Sequence, residues 1–80
     1  MATILYVDDD HYLTDLVHYA LTREGFGVLL AHDGQEALRL LRTARVDFVL
    51  LDVNLPDTTG FEVLSTLRAF SRAPVVLLSA

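Results

Sequence analysis

Eighty residues suffice for one small domain, residues 1–80, and a fold of this size buries only roughly 60–65% of the surface its unfolded chain exposes. The chain has no cysteine, which excludes a disulfide framework and thiol chemistry, and no apolar run approaches the roughly eighteen residues of a membrane span. With Met1-Ala-Thr leading straight into a strand rather than a signal peptide, a cytoplasmic protein with no membrane is expected. The net charge of −5, from eleven acids against six arginines and no lysine, favours divalent cations or basic partner surfaces over a phosphate backbone, so no nucleic acid is expected to be bound by this segment.

Predicted β1, Ile4–Val7 (ILYV), is a short apolar run that stops at three acids, Asp8, Asp9 and Asp10. From His11 the period changes. Leu13, Leu16, Val17, Ala20 and Leu21 form the inner stripe of an amphipathic helix, α1, with Asp10 as N-cap and Gly25 in the C′ position. Predicted β2, Phe26–Ala31, is stopped by Asp33-Gly34, and Asp33 caps α2 from Gln35 to about Arg42, with Ala37, Leu38, Leu41 and Ala44 facing inward.

Val46–Val53 reads as β3, within which FVLLD delivers a single carboxylate, Asp52, to the carboxyl end of a buried strand. A lone buried carboxylate is costly, so a crevice holding a cation or substrate is expected there. The loop NLPDTT leads to α3, from Gly60 to about Phe70, burying Phe61, Val63 or Leu64, and Leu67. Pro74–Leu78 (PVVLL) is β4, ending at Ser79-Ala80.

Alternating strands and helices imply an α/β fold with a parallel sheet, and right-handed crossovers restrict its topology; if α1 lies on one face and α2 and α3 return across the other, the sheet is doubly wound, of the flavodoxin-like type, in the order 2-1-3-4. Asp8, Asp9 and Asp52 then meet at the switch point between β1 and β3, with Ser79 ending the strand next door. Three carboxylates this close cannot all stay ionised without compensation. An all-oxygen set with room for water and a phosphate suits Mg²⁺ better than a many-liganded Ca²⁺ cage, and no histidine or thiol is expected in the crevice to favour zinc. A carboxylate oxygen beside a metal suggests phosphoryl transfer with Asp52 as nucleophile, forming an acyl phosphate, and Ser79 as a hydrogen-bond donor to the phosphoryl group.

YVDDD, LLDVNLPDTTGFEVL, DGQEAL and PVVLLSA, in that order, resemble the receiver domain of bacterial two-component response regulators. The resemblance runs from Ile4 to Ala80 and corresponds to about the first two thirds of such a domain, with the fifth strand and the last two helices missing. It implies that Asp52 accepts a phosphoryl group from a sensor histidine kinase, that Asp9 binds Mg²⁺ directly, and that Asp8 binds it through water. It also implies that the Asn54 main-chain carbonyl is a metal ligand, that the Ser79 hydroxyl turns toward the phosphoryl group, and that Pro56 and Gly60 shape the adjoining loop. The family's phosphoryl-pairing lysine has no counterpart in these residues. In full length such a domain commonly precedes a DNA-binding effector, absent here.

Each signal has a plainer reading. Asp8 and Asp9 also read as helix-start acids, Asp52 as a loop cap and Ser79 as a turn former, but the flanking patterns favour the site. His11, Asp15 and His18 share a helix face that reads better as solvated than as metal-binding. Two functions compete with the phosphoacceptor, which is expected to be no enzyme beyond self-catalysed phosphorylation and dephosphorylation. One is a phosphorylation-incompetent association module, in which a homo-oligomer or a missing C-terminal segment covers the apolar β4 edge. The other is an aspartate-nucleophile phosphatase, disfavoured because Asn54 stands where a second acid is wanted.

Overall fold

The computed structural model describes residues 1–79; Ala80, the last residue of the PVVLLSA motif, lies outside the described residues. The elements are β1 (Thr3–Val7), α1 (His11–Arg23), β2 (Gly27–Ala31), α2 (Gly34–Thr43), β3 (Phe48–Asp52), α3 (Gly60–Leu67) and β4 (Val75–Leu78). The four strands form one parallel sheet in the order β2-β1-β3-β4. The expected topology is therefore the observed one, and β1 and β3 are neighbours across the point where the chain reverses direction.

Local chemistry sets the helix starts. Asp10 accepts a hydrogen bond from the Leu13 N–H at 3.1 Å, Asp33 from Glu36 at 2.7 Å, and Thr59 from Glu62 at 3.2 Å. Each is an N-cap oxygen satisfying a first-turn donor. Gly25, at φ +93°, ends α1 in the left-handed region that favours glycine.

β2 and β4 each start one residue later than predicted, at Gly27 and Val75, and β3 and α3 are shorter than the apolar pattern predicts. β3 occupies 48–52 rather than 46–53, because the Asp47 carboxylate turns to the Thr3 N–H at 2.8 Å and the Val53 carbonyl accepts from Gly60 at 2.7 Å. α3 stops at Leu67 rather than Phe70. Phe70 and Ser71 N–H groups fold back onto the Leu67 carbonyl, and the Arg68 guanidinium donates to the carbonyls of Ser71 and Ala73.

The core lies on one side of the sheet. Leu5, Val7, Ala31, Val49 and Leu51 pack with Ala37 and Leu41 of α2 and Val63 and Leu67 of α3. Phe61 is not part of it: it is 60% exposed, because Gly60, Val63 and Leu67 share the inward face and Phe61 is turned about 100° from it. The opposite side is thinly covered. α1 packs mainly on β2 and buries Thr14, while Leu16 is 49% exposed and Leu13 and Ala20 are exposed with it. The stripe expected to be interior is thus half in solvent, since the sheet beyond β1 has no helix above it on that side among the described residues.

Candidate functional site

Asp8, Asp9 and Asp52 come together as expected. One carboxylate oxygen from each lies within 4.8 Å of the others. The register explains this: Val7 pairs with Leu51, so the residues following them emerge side by side at the carboxyl edge of the sheet. The cavity there has a volume of about 330 Å³ and is lined by Tyr6, Asp8, Asp9, Asp10, Leu13, Asp52, Leu78 and Ser79.

The carboxylate most withdrawn from water is Asp8, 7% exposed, rather than Asp52, which is only partly buried. Asp8 tolerates this because both its oxygens are satisfied. Oδ2 accepts from the Tyr6 hydroxyl at 3.1 Å and Oδ1 from the Asp10 N–H at 3.0 Å. Asp52 Oδ1 accepts from the Asn54 N–H at 3.2 Å. Burial pushes the Asp52 carboxyl above its ordinary value, the Asn54 N–H opposes this, and the charges of Asp8 and Asp9 with a side-chain contact to Asp8 add to the rise.

The loop between β3 and α3 is held from three directions. Gly60 lies against the backbone of Asp52 and Val53, where a Cβ would stand 2.6 Å from the Asp52 carbonyl oxygen. Asn54 bridges to Thr59. Asp57 spans to another element, its carboxylate accepting from Gly34 at 2.8 Å and Gln35 at 3.0 Å at the start of α2. Those donors hold the Asp57 carboxyl below its ordinary value.

Ser79 lines the same cavity and is exposed. His11 does not line it: its ring stacks on His32, with centroids 3.7 Å apart and planes 3° from parallel. His18 and Asp15 are exposed on α1, and among the described residues the acid trio is the one cluster suited to a metal. Two participants were not identified from sequence, the Tyr6 bond to Asp8 and the Asp57 cap on α2. The first had a signal, because residues two apart on a strand share a face. The second joins residues 22 and 23 positions apart, and nothing local marks it.

The three carboxylates fit a hard divalent cation by donor chemistry, being all oxygen, adjacent and partly dehydrated. No helix among the described residues is long and apolar enough to cross a membrane.

The response regulator receiver domain family matches residues 4–80. The transcriptional regulatory protein CpxR of Klebsiella pneumoniae is 49% identical over the whole chain, and the DNA-binding response regulator MtrA of Mycolicibacterium smegmatis is 44% identical over 96% of it. The chain spans about a third of the length of these curated relatives, 34% in each case. Among solved structures, the response regulator TrrA of Thermotoga maritima, in complex with Mg²⁺-BeF, superimposes with a TM-score of 0.93 at 34% identity, covering 100% of this chain and 70% of that one. An acid trio at the β1/β3 switch point, a 2-1-3-4 sheet and a family match over all but the first three residues agree, and the chain belongs to the receiver domains of two-component response regulators.

Proposed function

We propose that Asp52 is the phosphoacceptor of this receiver and that Asp9, Asp8, the Asp52 carboxylate itself and the Asn54 main-chain carbonyl hold Mg²⁺, Asp9 directly and Asp8 mainly through water. The observation that carries this reading is the convergence of Asp8, Asp9 and Asp52 within 4.8 Å in a cavity that also contains Ser79. In the transfer, an Asp52 oxygen forms a bond to phosphorus as the bond from phosphorus to the donor's histidine nitrogen breaks. The product is an acyl phosphate and a free imidazole. Bound Mg²⁺ supplies positive charge that offsets the carboxylates and the phosphoryl oxygens.

The chain's own residues supply position. Gly60 lets the loop close on Asp52, the Asn54 N–H orients the Asp52 carboxylate, and Ser79 offers a hydroxyl to the phosphoryl group. Asp52 takes up one phosphoryl group rather than turning over a substrate. The partner by this reading is a sensor histidine kinase in the cytoplasm, as TrrA was solved with the histidine kinase ThkA, and the output is transcriptional regulation through DNA binding by another region, in line with the transcriptional regulatory protein CpxR and the DNA-binding response regulator MtrA.

Intact mass before and after acetyl phosphate with Mg²⁺ tests the assignment. The wild-type chain is expected to gain one phosphoryl group, and Asp52→Asn or omission of Mg²⁺ is expected to abolish the gain. A variant that still becomes labelled would move the acceptor elsewhere. A wild-type chain that gains nothing would favour the association reading, which draws on the exposed Leu13, Leu16 and Val76.

A further inference from the structure

Ile4 and Tyr6 alternate along β1 with Leu5 and Val7 of the core, so they lie on the opposite sheet face, the one α1 partly covers. An aliphatic side chain would fill that row without a polar atom. Tyr6 instead brings a hydroxyl to the carboxyl end of the strand while remaining 2% exposed, and the hydroxyl donates to Asp8 Oδ2 at 3.1 Å.

The Asp8 carboxylate is therefore gripped on both sides, by Tyr6 at one oxygen and the Asp10 N–H at the other. Its backbone is fixed as well, the Asp8 N–H donating to the Ala31 carbonyl at 3.1 Å. An ionised carboxylate has about four acceptor positions, so both oxygens retain capacity to meet a cation or its water. What the side chain loses is freedom to turn away.

We propose that Tyr6 is a positioning residue for divalent-cation binding: its hydroxyl keeps the Asp8 carboxylate oriented beside Asp9 and Asp52, and its phenol registers occupancy of the site. The inference rests on the cation site proposed above. Groups that orient a metal-binding side chain from behind typically matter about 10- to 100-fold for affinity. Burial, then the bond to Asp8 and the charges of Asp8, Asp52 and Asp10, push the Tyr6 hydroxyl up to about 12, which keeps it a donor through the neutral range.

The chain contains no tryptophan and three tyrosines, of which Tyr12 and Tyr19 are exposed. In the variant with Tyr12→Phe and Tyr19→Phe, a near-ultraviolet tyrosine difference spectrum on adding Mg²⁺ reports Tyr6 alone. Wild type is expected to give a saturable difference that persists when Tyr12 and Tyr19 are both replaced by Phe. Tyr6→Phe is expected to lose that difference and to bind Mg²⁺ roughly 10-fold more weakly by calorimetry.

Equal or tighter Mg²⁺ binding by a folded Tyr6→Phe overturns the proposal while leaving the acid site intact. If Tyr6→Phe does not fold, the spectrum of the Tyr12/Tyr19 double variant decides, and loss of its Mg²⁺-dependent difference overturns the proposal. A wild-type chain that shows no calorimetric Mg²⁺ binding overturns the cation site itself, and the role of Tyr6 with it.

Discussion

Asp8 and Asp52 are chemically identical side chains that the fold treats differently. Asp8 is buried and accepts hydrogen bonds at both oxygens, whereas the ionisation of Asp52 is opposed first by its burial and then by the charges of Asp8 and Asp9, with one backbone donor, the Asn54 N–H, favouring it. The native state therefore holds a proton on Asp52 more tightly than the unfolded chain does. Ionisation then costs native stability as pH rises from the ordinary value of 3.8 through the raised one. At neutral pH without Mg²⁺, Asp52→Asn, which keeps the shape and removes the charge, is therefore expected to raise the thermal midpoint. Millimolar Mg²⁺ should raise the wild-type midpoint more than that of the variant. A lower midpoint for the Mg²⁺-free variant would show that Asp52 is already compensated by protein groups. All three acids were legible in the sequence because each follows an apolar strand. Which of them is buried was not, because that depends on whether a hydroxyl two residues upstream reaches it.

The segment between β3 and α3 behaves as a bridge rather than a free loop. Asp33 caps α2 from within its own chain segment, and Asp57 caps the same helix from across the fold, so the start of α2 and the loop after Asp52 hold one another in place. Gly34 fits that contact closely, since a Cβ there would meet the Thr58 methyl, which would have to move aside. The Asp57 carboxyl is depressed by the Gly34 and Gln35 N–H groups, so its contribution to stability is fully present above the ordinary carboxylate value and is lost as pH falls through the depressed one. Asp57→Asn is expected to lower the thermal midpoint at pH 7, and the gap from wild type should close in strong acid. A gap that persists unchanged at low pH would mean that shape, not charge, holds the bridge. The helix starts themselves were readable from Asp10 and Asp33, as caps act within three residues. The ends of β3 and α3 were less so, because the competing bonds at Asp47, Val53 and Arg68 lie outside the apolar period.

Over the whole molecule the two sides of the sheet carry unequal energy. Strand alternation and helix stripes lead to the 2-1-3-4 order once α1 is placed on one face and α2 and α3 on the other, since right-handed crossovers leave few arrangements when the elements are known. They could not show that the α1 stripe is only partly engaged, because amphipathicity marks the face a helix can bury and not how much cover it meets. The α2/α3 side contains the apolar residues with no solvent contact, among them Leu5, Val49, Leu51 and Leu67. The α1 side leaves Leu13, Leu16 and Val76 open. Truncation of equal size should therefore have unequal cost. Leu67→Ala removes a fully buried side chain from between α3 and the sheet and is expected to destabilise by about 2–4 kcal/mol, a large part of the margin of a chain this short. Leu16→Ala removes a side chain that is already half hydrated and should cost less than about 1 kcal/mol. Urea unfolding of both variants at one protein concentration provides the comparison. If Leu16→Ala proves as costly as Leu67→Ala, the α1 face is buried in solution, and repeating the measurement across a range of concentrations would show whether a second copy buries it.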